Sequence, residues 1–238
     1  MKLILYAALL STTITLMSYN VKNCNGNDKF RDVSRISKVI VSKAPHFVAI
    51  QEIDSCTNRS NKENVMKELA ELSGYQYLFA SAIEYDEGKY GIGLLSKTKA
   101  LAYKKVALPG SEEKRTLLIA KFQDFYIACT HLSLTKEDRL ASLDIIVEVA
   151  SKLDKPLYIA GDFNDTPDSQ FIKEFSKHFT ILSDTEEFTF PSYNPNRVLD
   201  YIAQFKKTSR PIKKVRNYVI QETMASDHFP IMVKFSQN

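Results

Sequence analysis

The stretch LYIAGDFN, Leu157 to Asn164, decides how the rest of the chain is read. An apolar run, Leu157 to Ala160, passes through Gly161 into a carboxylate, Asp162, and then, after Phe163, an amide, Asn164. Such a run reads as a strand buried along its length, with its polar tip left at a sheet edge, where loops build sites. The same design recurs along the chain. Ile14 to Met17 leads to Tyr19-Asn20, Phe47 to Ile50 to Gln51-Glu52, and Phe125 to Ala128 to Thr130-His131. Leu199-Asp200-Tyr201 and Ser226-Asp227-His228 complete the set, which gathers carboxylates, two imidazoles and two amides into one cleft.

Between these tips, strand and helix patterns alternate. Ile14 to Asn20 reads as a strand. Phe30 to Ser42 reads as a helix with Val33, Ile36, Val39 and Ile40 near helical spacing, stopped by Ala44-Pro45. A buried strand at Phe47 to Gln51 and a helix at Asn61 to Ser73 follow, with Gly74 as its C-terminal stop. Strands are expected at Tyr75 to Ala80, Gly91 to Ser96, Ala100 to Val106, Thr116 to Phe122 and Phe125 to His131, with Gln123-Asp124 as a tight turn. Thr135 to Leu153 has the spacing of a helix capped by Thr135, and Ser169 to Lys177 that of a shorter one. Strands near Tyr201 to Gln204, Val215 to Ile220 and Ile231 to Phe235 close the chain. The pattern is α/β. It fits two sheets packed face to face between helical layers, and equally a three-layer fold.

With 238 residues, 44% of them hydrophobic and 25% charged, the chain can bury a large core, and residues 13–238 read as one domain. The net charge of +4 permits an anionic substrate without demanding nucleic acid. Lys2 and the apolar run Leu3 to Leu10 have the charged and hydrophobic parts of a secretory signal. Residues 1–12 are therefore read as a signal-peptide remnant or N-terminal extension, and the protein as exported, periplasmic or secreted, with a cytoplasmic location as the alternative. The run is far short of the ~20 apolar residues of a stable transmembrane span. Cys24, Cys56 and Cys129 show no CxxC spacing that would suggest zinc. Cys129 reads as a small buried hydrophobe, while Cys24 and Cys56 each stand four residues after a site residue and read either as a disulfide in an exported protein or as two free loop thiols.

Glu52, Asp162 and Asp227 are carboxylates at strand tips, with Asn20 and Asn164 as neutral oxygen ligands or hydrogen-bond donors beside them. Hard oxygen donors select magnesium, calcium or manganese over zinc. Converging carboxylates repel unless a cation neutralises them, so a divalent ion is implied. His131 and His228 can exchange a proton near neutral pH or, as cations, stabilise negative oxygens, and Asp200 is the expected partner orienting His228. Arg115 opens a strand and could equally reach a phosphate by a bidentate contact or form a surface ion pair. His46 and His178 have no acidic companion and read as structural.

From Met17-Ser18-Tyr19-Asn20 to Ser226-Asp227-His228-Phe229-Pro230-Ile231, these segments resemble the endonuclease/exonuclease/phosphatase superfamily, the DNase I-like metal-dependent phosphoesterases. The order matches too: Asn20, Ile50-Gln51-Glu52, Gly91 to Ser96, Arg115, Thr130-His131-Leu132, Gly161-Asp162-Phe163-Asn164, Leu199-Asp200-Tyr201, then Ser-Asp-His. The resemblance implies a four-layer α/β sandwich, two mixed sheets face to face with helices on both outer sides. It also implies magnesium, replaceable by manganese or calcium, on Glu52 with Asn20 and Asp227 nearby. Asp162 and Asn164 would orient the attacking water and contact the phosphate. His131 and His228, the latter steadied by Asp200, would bind the phosphate and stabilise the transition state, one of them delivering a proton to the leaving oxygen. Two positions depart from the family pattern. Neither Glu84 nor Glu87 falls where DNase I-like nucleases pair the first histidine, and Ile92 stands where many relatives carry an asparagine.

The reading is thus a magnesium-dependent phosphodiesterase or phosphatase acting on a small or lipid-derived phosphate ester, with no protein partner implied. A sugar-nonspecific nuclease is the alternative, to which the basic run Lys206, Lys207, Arg210, Lys213, Lys214 and Arg216 would supply a phosphate-backbone track. A binding module that keeps the fold without turnover is the alternative from another class.

Overall fold

The structure, a computed structural model, describes residues 12–237. The expected leader segment, apart from Thr12, lies outside them. In chain order the elements are β1 (Thr12–Asn20), a 3-10 turn (Lys22–Cys24), α1 (Val33–Lys43), β2 (Phe47–Ser55), α2 (Val65–Ser73), β3 (Gln76–Tyr85) and β4 (Gly88–Ser96). Next come β5 (Ala102–Leu108), β6 (Arg115–Lys121), β7 (Tyr126–His131), α3 (Lys136–Ser151), β8 (Leu157–Asp162), α4 (Gln170–His178) and β9 (Phe179–Ile181). Strands β10 (Asp200–Phe205), β11 (Ile212–Val219) and β12 (Ile231–Gln237) end the series.

The strands form two six-stranded sheets, ordered β11-β12-β1-β2-β4-β3 and β5-β6-β7-β8-β10-β9. Each contains one parallel pair, β1 with β2 and β7 with β8, connected through α1 and α3 respectively, in otherwise antiparallel surroundings. A core between the sheets holds Ile14, Leu16, Ile127, Cys129, Tyr158, Ala160 and Ile202. The outer faces pack on helices: Met17 and Tyr19 with Ile36 and Ile40 of α1, and Leu157 and Ile159 with Leu143 and Ile146 of α3. Strands buried on both faces explain why the sequence shows continuous apolar runs rather than alternation. These layers, helix, sheet, sheet, helix, are the four-layer sandwich.

Local chemistry sets the helix starts. The first helix begins at Val33, not Phe30, because the Asp32 side chain accepts from the Arg35 N–H as an N-cap. Phe30 is left exposed. Likewise Asn64 caps α2, and Gly74 ends it with φ 75°. Thr135 does sit at the N-cap of α3 without capping it, since its hydroxyl bonds to Glu112. The Asp86-Glu87 turn between β3 and β4 has positive φ at both residues, the geometry that matches strand twist in a two-residue hairpin.

Gly161 illustrates why the tip of β8 needs glycine. A Cβ there would lie 2.1 Å from the backbone oxygen of Thr130 on β7. Gly161→Ala must push apart the pair of strands that carries His131 and Asp162. It is expected to cost about 1–3 kcal/mol of stability, read as a lowered midpoint in denaturant unfolding; an unchanged midpoint would contradict this account of the packing.

The disulfide is not formed. All three cysteines are free thiols. Cys24 is packed into the helix-side core with Val33 and Ile36, and burial pushes its thiol up to about 12, whereas Cys56 is exposed. The even spacing from Asn20 and Glu52 did not carry through, because the 3-10 turn after β1 rolls Cys24 inward. Cys129 lies in the core, as read.

Candidate active site

Strand parity brings the polar tips together. Along β1 the residues facing the other sheet are Ile14 and Leu16, along β7 Ile127 and Cys129, along β8 Tyr158 and Ala160, and on β10 Ile202. Two-residue periodicity extends these rows to Asn20, His131, Asp162 and Asp200. Register then aligns them: His131 pairs with Asp162 across β7 and β8, and Asp162 with Asp200 across β8 and β10. The amide of Asn20 reaches over from the first sheet, its Nδ2 donating to Asp162 Oδ2 at 3.1 Å and to Glu52 Oε1 at 2.9 Å.

Glu52 is out of step with its own strand. It joins the site through a bulge between Ile50 and Ile53, where its φ is 56°. A left-handed glutamate is strained, and such strain concentrates at functional positions. Asn164, with φ 52°, shares this backbone conformation.

Asp162 is the hub. Its Oδ1 accepts from the Asn164 N–H at 2.9 Å, and its Oδ2 lies 3.6 Å from the Nε2 atoms of both His131 and His228. The two imidazoles are held in opposite states. Burial drives His131 down to about 3, Asp162 opposing and Arg115 assisting, and Asn164 Nδ2 donates to its Nε2 at 2.9 Å. His228 is equally enclosed, and burial alone would lower it. The carboxylates of Asp200 and Asp162 prevail and carry it up to about 10. Its Nδ1 donates to Asp200 Oδ2 at 3.0 Å, the pairing expected from sequence. Groups pushed apart in this way mark acid and base roles.

Glu52 is raised above the ordinary glutamate range, by burial first, with Asp162 and Asp227 adding to the effect against the Asn20 hydrogen bond. A buried cluster of hard oxygens that resist being charged together suits a divalent cation. Asp162, Asp200 and His228 also offer donor atoms within 4.8 Å of one another. In that trio the His228 ring is already engaged with Asp200 through Nδ1 at 3.0 Å. Glu52 and Asp227 fit better; both line the same cavity of about 360 Å3 as His131, Asp162, Asn164 and His228.

Three residues sit where expected and are engaged differently. Asn20, read as an oxygen ligand, presents its N–H groups to the two carboxylates, while its Oδ1 accepts from the Lys22 N–H. Asn164, read as a phosphate contact, gives its amide N–H groups to His131 and to the Leu132 carbonyl. Arg115, read as a bidentate phosphate clamp or a surface ion pair, is ion-paired but buried, with Nη2 on Glu112 at 3.0 Å and Nη1 on Glu113 at 3.2 Å and its Nε alone. Acidic neighbours two and three residues upstream already neutralise it. Asp227 pairs with Lys22 at 2.8 Å.

The sequence reading missed several participants. Glu112 accepts from Ser133, Leu134 and Arg115, tying the loop after His131 to the start of β6. Exposed Arg197 lines the cavity with its guanidinium 4.8 Å over the Phe190 ring, and Phe190 packs at 4.5 Å against His228. Its only signal was a cation three residues before Asp200. Glu84 and Glu87 lie on the exposed hairpin, paired with Lys89 and Lys62, so neither serves His131. His46 and His178 stay away from the site, and His46 Nδ1 merely accepts from the Thr15 N–H.

A sequence profile described as the Endonuclease/Exonuclease/phosphatase family matches residues 17–228. No curated protein matches the chain. Among solved structures, an endonuclease/exonuclease/phosphatase from Bacteroides vulgatus is similar at a TM-score of 0.77 and 17% identity, covering 95% of this chain and 100% of that one. A mannosyl-6-phosphatase from Bacteroides thetaiotaomicron is similar at 0.71 and 20% identity, over 93% and 99% of the two chains. The human Nocturnin catalytic domain with bound sulfate is similar at 0.72 and 20% identity, over 96% and 97%. The profile spans every site segment from Met17 to His228, and the chain belongs to the Endonuclease/Exonuclease/phosphatase family of phosphoester hydrolases.

Proposed function

We propose that the chain is a magnesium-dependent hydrolase of small or lipid-derived phosphate esters, working by in-line attack of water. The observation that carries this reading is one carboxylate, Asp162, whose Oδ2 lies 3.6 Å from the Nε2 atoms of both His131 and His228, with burial lowering the first imidazole and the Asp200 and Asp162 carboxylates raising the second. Glu52 and Asp227 would hold the cation, with Asn20 steadying Glu52. Bound there, magnesium, or manganese or calcium in its place, supplies charge neutralisation at the phosphate and at the leaving oxygen.

The chain's own groups do the rest. Asp162, acceptor only when ionised, orients the attacking water and holds its proton. His228 donates from Nε2 toward the equatorial oxygens while Asp200 fixes its ring. His131, kept neutral with its Nε2 satisfied by Asn164, completes the polar wall around Asp162. Arg197 adds an exposed positive charge at the cavity mouth.

The family's own description spans endonucleases, exonucleases and phosphatases, so substrate class must be argued from the site. The nuclease alternative draws on exposed Lys207, Arg210, Lys213 and Arg216 on and before β11. It requires DNA affinity that falls steeply with salt.

The test is turnover of bis(p-nitrophenyl) phosphate, p-nitrophenyl phosphate, sphingomyelin and nucleic acid side by side, with magnesium and with chelator. Chelation is expected to lower turnover of the small esters by about 10²-fold or more, on the scale of losing a principal electrostatic stabiliser, with magnesium restoring it. Undiminished turnover in chelator would overturn the proposal.

A further inference from the structure

The sandwich has a catalytic end, where His131, Asp162 and Asp200 stand side by side, and an end away from it. Register fixes the far end: Phe47 pairs with Ser96, Ala102 with Lys121, and Ile212 with Gln237, which pairs in turn with Thr12. Two connections between the sheets cross there, from β4 to β5 and from β10 to β11. We propose that this far end docks on an anionic phospholipid bilayer, with the catalytic cavity facing away from it. The inference goes beyond the phosphoesterase reading and does not rest on it.

Charge is the first reason. Segments 97–105 and 206–216 hold four and six of the chain's 32 Lys and Arg, and none of its 28 Asp and Glu. Lys97, Lys99, Lys104, Lys105, Lys207 and Arg210 are exposed, and among the described residues no carboxylate pairs with them. Acids near this end are engaged elsewhere: Glu148 and Glu174 pair with Lys152 and Lys177, and Asp154 lies 3.8 Å from Lys121. The positive field reaches His46, whose imidazole is lowered by burial first and then by Lys97 and Lys234. These cations are too distant to serve the ester being split. From Asp200 in the site, β10 runs to Phe205 before Lys206 is reached, a path of roughly 17 Å at ~3.3 Å per residue. That exceeds the ~10 Å over which exposed charges act at 0.1 M salt.

Apolar exposure is the second reason, and it favours lipid over a nucleic-acid strand. Leu101 and Tyr103, 63% and 61% exposed, stand between Lys99 and Lys104. With Tyr77, Leu78 and Lys99 they line a cavity of about 440 Å3 between the edge strands β3 and β5. Aliphatic and tyrosine side chains enter a bilayer interface while lysine stems carry their charge to the headgroups. A nucleic-acid strand would want aromatic rings stacked along a basic groove, and it gains nothing from Leu101. Strand β1 also opens at this end with Thr12, so the apolar run Leu3 to Leu10 of the sequence joins the fold here.

The test is flotation of the full chain with vesicles of phosphatidylcholine and of an equimolar mixture of phosphatidylcholine and phosphatidylglycerol. Tighter binding to the anionic vesicles, weakened by salt, is expected. Lys99→Gln combined with Lys207→Gln should lower that binding at least about tenfold, at about fivefold per cation, and leave turnover of p-nitrophenyl phosphate native. Leu101→Ser should weaken it as well, which a purely ionic contact would not show. Equal binding to both vesicle types, binding to neither, or binding unchanged in these variants would overturn the proposal. Affinity for a single-stranded oligonucleotide exceeding that for the anionic vesicles, and lost in the double variant, would assign the face to nucleic acid and overturn it too.

Discussion

Asp162→Asn is expected to lower kcat on phosphate esters by about 10²-fold or more, roughly 2.7 kcal/mol of transition-state stabilisation. No other side chain touches so much of the site. Asp162 accepts from Asn20 and from the Asn164 backbone, and both histidines point Nε2 at the same oxygen. The amide that replaces it cannot hold a proton from water. It would also set an N–H against either the Asn20 or the Asn164 N–H, and it would remove one of the two charges that keep His228 protonated. A second readout therefore accompanies the loss: the His228 imidazole should titrate at lower pH in the variant, by NMR. A variant that retains native kcat, or whose His228 is unmoved, would contradict the central place given to Asp162.

His228→Gln carries the next largest effect, also about 10²-fold or more, the scale of deleting one oxyanion donor. It keeps a neutral donor and loses the charge. Because the imidazolium persists to about pH 10, native kcat should hold through neutral pH and fall as pH rises through about 10, and the variant should lose that limb. Asp200→Asn should resemble it, and the double variant should be barely worse than either, since the pair acts as a unit. The same shifts govern stability. His228, raised from 6.5 to about 10, stabilises fully below 6.5 and loses that contribution as pH rises through about 10. His131, lowered from 6.5 to about 3, acts in the other direction. The unfolded chain binds its proton first, so stability falls as pH drops from 6.5 toward 3. Retention of native kcat by His228→Gln, or a rate flat through pH 10, would sink the cationic role.

Much of the site was legible because a buried strand and its polar tip are both local signals. Leu157 to Asp162 is a strand by its apolar run, and Asp162 stands out by ending it. What the run did not reveal is what each tip would touch. Arg115 read equally as a phosphate clamp and as an ion pair, and only the fold decided for the pair, with Glu112 and Glu113 on its buried guanidinium. Cys24 and Cys56 could have paired by equal spacing, and a left-handed turn separated them.

By itself the sequence determined the α/β class, the places of nearly all strands and helices, and the residue types that handle phosphate, since these follow from periodicity and from chemistry carried within a few positions. Tertiary structure alone decided that His131, Asp162 and Asp200 stand side by side, and that Asn20 reaches them from the other sheet. It also set the opposite protonation of the two histidines. The physical reason is range: register joins His131, Asp162 and Asp200 across separate strands, sheet-on-sheet packing brings Asn20 to Asp162 from 142 positions away, and a charge state depends on every dipole and carboxylate buried around it.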